Sequence, residues 1–191
     1  MLCLRAFFHW SRKNISQKNI YKKHFFDSFV IYLRNYYQMS NIETGEKAPA
    51  FSGVNQDGKT VSLTDFQGKK LVLYFYPKDD TPGCTAESCN LSENYHRFQD
   101  QGYEVLGVSP DTEKKHQKFI DKYQLKFDLL ADTEKEVIQA YGVWVEKNMY
   151  GRKYMGVART TFIIDENGMI EDVIKKVKTK EHTAQILGGM E

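Results

Sequence analysis

Cysteine is scarce in this chain, with three residues in 191, at Cys3, Cys84 and Cys89. That count excludes a disulfide-built secreted scaffold and suits a reducing, cytoplasmic setting. Long apolar runs are missing as well. Residues 25–37 are apolar and aromatic but carry Asp27 and Arg34, and are too short to span a bilayer. Leu2-Cys3-Leu4 is broken by Arg5, so no signal-type apolar region forms there. The five histidines have no ligand spacing. Cys89 and His96 share a helix face but would lie about 10 Å apart along it, so no metal centre is expected. The remaining histidines read as surface or rim residues.

Charge of one sign is lacking too. The net charge is +2, and even that comes from one end. Residues 1–38 carry seven Lys or Arg against Asp27, a net of +6, while the other 153 residues carry 20 basic and 24 acidic side chains, a net of −4. The basic balance therefore does not mark a nucleic-acid partner. Three readings fit the first 38 residues: a translation start at Met39, a targeting segment, or an interfacial helix. We treat 1–38 as a separate basic, aromatic segment and 39–191 as one domain, large enough to bury a single good core. No repeat, membrane span or low-complexity linker appears after Met39, and a monomer is expected.

From Met39 onward the pattern alternates between strands and helices. Residues 51–54 and 60–63 flank an Asp57-Gly58 turn and predict a hairpin. Residues 71–76 are apolar on both faces, as in a buried central strand. A helix is predicted over 85–101, ending at Gly102, followed by a strand at 103–109. Asp111 or Thr112 can cap the next helix, which bears Phe119, Ile120 and Tyr123 on one face. A short strand at 129–131 precedes a helix over 134–141, capped by Thr133 with Glu136 at the capping-box position. Two antiparallel strands, 160–164 and 170–177, follow, joined by a turn at 166–168, and a last helix covers 180–187. Tyr141, Trp144, Tyr150 and Tyr154 are read as packing and a folded loop that walls one side of a pocket. Lys175, Lys176, Lys178 and Lys180 are read as a solvated strand edge. The order predicts an α/β, thioredoxin-like fold: a central mixed sheet flanked by helices, with a small N-terminal hairpin.

What is present in abundance is chemistry at one junction. The central strand runs into Tyr76-Pro77-Lys78-Asp79-Asp80-Thr81-Pro82-Gly83-Cys84-Thr85-Ala86-Glu87-Ser88-Cys89. Cys84 opens a helix, where N–H groups lack partners and the dipole is positive, and both favour the reactive thiolate. Pro82-Gly83 turns the chain so that the N–H groups of Gly83 and Cys84 can point into a pocket. Thr81, three residues earlier, can bring its hydroxyl to the sulfur or a substrate. Arg159 directly precedes the strand 160–164 and can lie beside the carboxyl end of the central strand as a permanent cation. A lone Arg there is ordinarily a surface residue, and a Thr in such a loop ordinarily a turn former. Their weight comes from the company of Cys84.

Cys89 is read as the resolving partner, the plainer reading being a small buried helix residue. Five helical residues separate two Cα atoms by roughly 8–9 Å and turn them about 140° apart, beyond the roughly 4.4–6.8 Å a disulfide requires. The pair can bond only if the helix start unwinds.

Thr81-Pro82-Gly83-Cys84-Thr85 with Cys89 resembles the active-site motif of the peroxiredoxins, of the bacterioferritin comigratory protein (PrxQ) type. The likeness covers residues 45–187. It includes Gly45-Glu46-Lys47-Ala48-Pro49-Ala50-Phe51, Val108-Ser109-Pro110-Asp111, Tyr141-Gly142-Val143-Trp144, Arg159-Thr160-Thr161-Phe162-Ile163-Ile164-Asp165 and Lys178-Thr179-Lys180-Glu181-His182-Thr183. The resemblance implies a cofactor-free thiol peroxidase acting on hydrogen peroxide or alkyl hydroperoxides and recycled by thioredoxin or a similar dithiol. It implies Cys84 as peroxidatic and Cys89 as resolving, joined in an intramolecular disulfide, with Thr81 and Arg159 activating and Pro77 shaping the pocket. Two other classes stay open: a thiol-disulfide oxidoreductase, against which the spacing of the cysteines argues, and a non-enzymatic redox sensor.

Overall fold

A run of six apolar residues with no polar face has to be covered on both sides, and strand β3 (Lys70–Phe75) is. The computed structural model describes residues 42–149 and 151–188. In it, Leu71, Leu73 and Phe75 enter one apolar cluster, while Val72 and Tyr74, followed by Tyr76, enter another on the opposite face. All six are fully buried.

Around β3 the sheet has seven strands in the order β2-β1-β5-β4-β3-β8-β9. The hairpin β1 (Ser52–Asn55) and β2 (Thr60–Ser62) forms one edge, joined to β5 (Asp128–Ala131). Strands β4 (Tyr103–Ser109) and β5 run parallel to β3; on its other side β8 (Thr160–Ile164) pairs antiparallel to β3, and β9 (Ile170–Ile174) pairs antiparallel to β8. A separate pair, β6 (Trp144–Met149) and β7 (Arg152–Val157), makes its own ribbon. Helices α1 (Pro82–Glu93), α2 (Tyr95–Asp100), α3 (Glu113–Tyr123) and α5 (His182–Leu187) supply apolar residues to the Tyr74 face, and α4 (Glu136–Ala140) to the Phe75 face. Close approach fixes Gly107 on β4: a Cβ there would sit 2.6 Å from Leu129 and 2.7 Å from the Tyr74 ring.

Several sequence expectations are corrected by local physics. The helix foreseen over 85–101 breaks at Asn94, whose amide donates to the Asn90 carbonyl at 2.8 Å and whose backbone leaves helical values. The helix foreseen over 134–141 begins at Glu136. Its N-cap is Lys135, in a left-handed backbone, not Thr133, and the Asp132 carboxylate accepts from the N–H groups of Glu136 and Ile138 at 2.9 and 2.7 Å. Thr112 is the N-cap of α3 but makes no side-chain cap bond, and Asp111 instead accepts from Lys115 and the Asp79 N–H. The predicted loop around Trp144 and Tyr154 is the β6–β7 ribbon, with Trp144 paired to Val157. Strand β9 stops at Ile174, so Lys175 onward lies beyond it, and α5 starts at His182 rather than Lys180.

Two histidines are not surface residues. His116 and His182 are fully buried. His116 Nδ1 lies 2.8 Å from the Asp79 carboxylate and Nε2 3.2 Å from the Leu130 carbonyl. The Met39 start, Cys3, Tyr150 and the reading of residues 1–38 lie outside the described residues.

Candidate active site

The end of β3 delivers the chain into a loop pinned from both sides. Asp79 accepts from the Tyr76 hydroxyl at 2.7 Å and faces His116, while its own N–H donates to Asp111 at 2.7 Å. Asp80 holds a left-handed backbone (φ 54°) and is gripped by Lys122 at 2.8 Å and the Tyr123 hydroxyl at 2.6 Å. Those contacts aim the chain at the start of α1. Thr81 is the N-cap, Pro82 the first helical residue, and Cys84 the third. Its sulfur therefore lies in the first turn, where backbone N–H groups have no helical acceptor.

Arg159 reaches this sulfur because of sheet register. Thr160 pairs with Phe75, so the residue before it falls level with the carboxyl end of β3. Its Nη2 lies 3.2 Å from Cys84 Sγ, and its Nη1 pairs with the Glu87 carboxylate. Burial alone would lower the guanidinium, but Glu87 and Cys84 hold it above its ordinary value. Gly83 stands against the same group: a Cβ there would be 3.4 Å from Nη2.

Cys84 and Cys89 are both free thiols, and the helix is continuous from Pro82 to Glu93. Burial, reinforced by the Glu93 carboxylate, pushes the Cys89 thiol up, so it stays protonated while the helix stands. The Thr81 hydroxyl donates to the Lys78 carbonyl at 3.1 Å, closing the loop behind the helix start. Pro77 is half-buried where β3 gives way to that loop. Among the described residues, no group of three His, Cys, Asp or Glu is placed to hold a metal.

Two participants escape the sequence reading. Glu87, three residues after Cys84, occupies the same helix face, a spacing from which it was detectable. It is fully buried, and burial pushes its carboxyl up to about 7 against the pull of Arg159. His182 comes from α5, and its Nε2 lies 3.8 Å from Glu87 Oε1 and 2.7 Å from the Thr161 hydroxyl. Nothing local in its sequence announces that placement.

A buried sulfur, a helix start and a paired guanidinium on a mixed sheet define a thiol-based redox enzyme of thioredoxin-like architecture. The chain belongs to the AhpC/TSA family, whose pattern matches residues 44–173, and within it to the Bcp/PrxQ peroxiredoxins, which are thiol peroxidases. It is 49% identical over 150 residues to a putative peroxiredoxin Bcp of Coxiella burnetii, covering 78% of this chain and 99% of that one. It is 45% identical to peroxiredoxin Bcp of Bacillus subtilis, covering 76% and 93% of the two chains. Among solved structures it is similar to a cysteine-to-serine mutant of PrxQ from Xylella fastidiosa, with TM-score 0.74, 30% identity, and 79% and 96% of the two chains covered. It is also similar to the bacterioferritin comigratory protein of Xanthomonas campestris, studied for alkyl peroxide reduction through trapped intermediate and ligand complexes, with TM-score 0.72, 33% identity, and 78% and 97% covered.

Proposed function

We propose that Cys84 is the peroxidatic nucleophile and Cys89 the resolving thiol of a peroxidase acting on hydrogen peroxide and alkyl hydroperoxides. Thioredoxin or a similar dithiol, as a reducing cytoplasm supplies, recycles it. The observation that carries this reading is Arg159 Nη2 at 3.2 Å from a Cys84 sulfur on a residue only 1% exposed. A guanidinium there stabilises a negative sulfur and then the charge moving onto the leaving oxygen. The burial favours a substrate as small as a peroxide over a protein disulfide, which weighs against a general thiol-disulfide oxidoreductase. The trapped alkyl peroxide chemistry of the Xanthomonas relative supports the alkyl hydroperoxide class.

The thiolate attacks the terminal peroxide oxygen, the O–O bond breaks, and the sulfur becomes a sulfenic acid while water or alcohol leaves. Gly83 and Cys84 N–H groups join Arg159 around the reacting oxygens, with Pro77 and Thr81 shaping the loop that holds them. The first turns of α1 then unwind, the Cys89 thiol displaces water from the sulfenic acid, and a Cys84–Cys89 disulfide forms. A dithiol reduces it by exchange and the helix re-forms. A thioredoxin-coupled peroxidase assay on the full chain tests this. Turnover is expected from the wild type and none from Cys84→Ser; turnover by that variant overturns the assignment.

A further inference from the structure

One buried oxygen in the site has no partner: Glu87 Oε1, on a side chain with no solvent exposure. A buried carboxylate oxygen with no donor to it carries the full desolvation penalty of its charge, so its surroundings ask for a proton. Those surroundings can be worked out donor by donor. The Gln185 amide is oriented by two bonds, its Oε1 accepting from the Lys178 N–H at 2.9 Å and its Nε2 donating to the Lys176 carbonyl at 2.9 Å. His182 Nδ1, 3.2 Å from that Oε1, therefore carries the ring hydrogen. In the neutral ring, Nε2 is then an acceptor and takes the Thr161 hydroxyl at 2.7 Å. That bond uses the single lone pair of Nε2, so the ring donates nothing to Glu87 Oε1, 3.8 Å away. Two electron-rich atoms face each other with no donor between them, and a hydrogen on Oε1, by removing the carboxylate charge, relieves them.

The second observation is one of charge. Arg159 is the cation that touches both acids, Cys84 through Nη2 and Glu87 through Nη1. In a site this buried, one guanidinium neutralises one anion well and two poorly. The other titratable groups nearby do not change the count. Tyr74 from β3 shares its hydroxyl with Ser88 at 3.0 Å, and burial pushes it far up. Lys147 from β6 donates to the Val157 carbonyl, and burial and Arg159 pull it down.

We propose that the site holds one proton between Cys84 and Glu87: the proton given up when Cys84 becomes a thiolate is bound at Oε1 of Glu87, against Nε2 of His182, and returns to the leaving oxygen when the peroxide bond breaks. This rests on Cys84 being the nucleophile. The balance closes. Thiol and Glu87 carboxylate become thiolate and Glu87 carboxylic acid. Thiolate and ROOH give the sulfenic acid and RO⁻, the sulfur losing two electrons to the O–O bond. RO⁻ takes the carboxyl proton and leaves as ROH, restoring the carboxylate to Arg159. Burial pushes His182 down to about 4 and Glu87 up to about 7, which places the shared proton on Glu87 rather than on the ring. His182 is thus a positioning residue that acts through Glu87.

The test is infrared difference spectroscopy on the reduced full chain near pH 7, with an ultraviolet thiolate titration beside it. The carbonyl stretch of a protonated carboxyl is expected in the wild type and absent from both Cys84→Ser and Glu87→Gln. An identical carboxyl signal in wild type and Cys84→Ser overturns the proposal. In the titration, Glu87→Gln removes the competing anion and should move thiolate formation to lower pH by about one unit. A shift to higher pH, the result if Glu87 only holds Arg159 in place, also overturns it. His182→Phe removes the electron-rich Nε2 that faces Oε1 and should move the titration the opposite way from Glu87→Gln; an unchanged curve removes His182 from the account. Should that variant not fold, the infrared comparison still decides. Peroxidase turnover in Cys84→Ser defeats the nucleophile reading instead, so the two failures are told apart.

Discussion

Arg159 and Cys84 lie 75 positions apart in the chain and 3.2 Å apart at Nη2 and Sγ, because the antiparallel register of β8 on β3 sets Thr160 opposite Phe75. Arg159→Met keeps much of the apolar stem and loses the charge. It is expected to lower kcat/KM for peroxide by about 10²-fold or more, the scale of losing one charge-stabilising donor. Arg159→Lys should recover only part of that loss, because a point ammonium cannot serve Cys84 and Glu87 as a fork. Stopped-flow peroxide consumption checks both.

Cys89 is half-buried on an intact helix, with its thiol pushed up by burial and Glu93. Cys89→Ser is expected to consume about one equivalent of peroxide and then stall with thioredoxin, or climb to sulfinic acid under excess peroxide. Sustained thioredoxin-driven turnover in that variant would show that resolution does not need Cys89.

Helix α1 is tied to the C-terminal segment directly after Cys89. The Asn90 side chain donates to the Lys180 carbonyl at 3.0 Å and accepts from the Thr183 N–H at 2.8 Å. These bonds hold the helix next to the turns that the proposed disulfide closure unwinds. Asn90→Ala should therefore speed disulfide formation several-fold and reduce overoxidation, read by rapid-quench mass analysis. Slower closure would mean that the tie guides the motion rather than restraining it.

Glu87 also makes stability depend on pH. Its folded carboxyl lies at about 7 against an ordinary 4.5, so the folded state binds the proton more tightly than the unfolded chain. That contribution is fully present below 4.5 and is lost as pH rises through about 7. Wild type should lose stability relative to Glu87→Gln across that window, measured by urea unfolding of both proteins at each end. His182 works in the opposite sense. Burial pulls it to about 4, so its contribution is present above 6.5 and lost as pH falls through 4.

Gly107 has no room for a methyl group, with Leu129 and Tyr74 at 2.6 and 2.7 Å from the place a Cβ would take. Gly107→Ala should destabilise by about 1–3 kcal/mol through overpacking between β4 and its neighbours, measured by the denaturation midpoint. An unchanged midpoint would mean that the Tyr74 ring moves aside freely.

The sequence made the centre of this molecule legible because its signals are local. An apolar run without a polar face becomes β3, the Asp57-Gly58 turn makes the first hairpin with Gly58 at φ 72°, and Pro82 directly after Thr81 starts α1. Arg159 was legible for a different reason: it directly precedes a strand that must pair somewhere near β3. Glu87 needed only the three-residue helix spacing from Cys84. His182 could not be read, since its meaning depends on where α5 docks. Nor could the β6–β7 ribbon, whose strands are largely exposed and reach the core only at Trp144 and Val157. The break at Asn94 and the start of α4, held by the Asp132 carboxylate, turned on side-chain bonds that competed with longer patterns.

Trypsin leaves Cys84 and Cys89 together on the peptide covering 79–97, so one spectrum reports on both sulfurs. The full chain, treated with one equivalent of peroxide and digested without reductant, should yield that peptide lighter by two hydrogens. The same treatment of Cys89→Ser should place a sulfenic-acid trap on Cys84. An unchanged 79–97 peptide, with oxidation found on Cys3 or between two chains, would contradict the account.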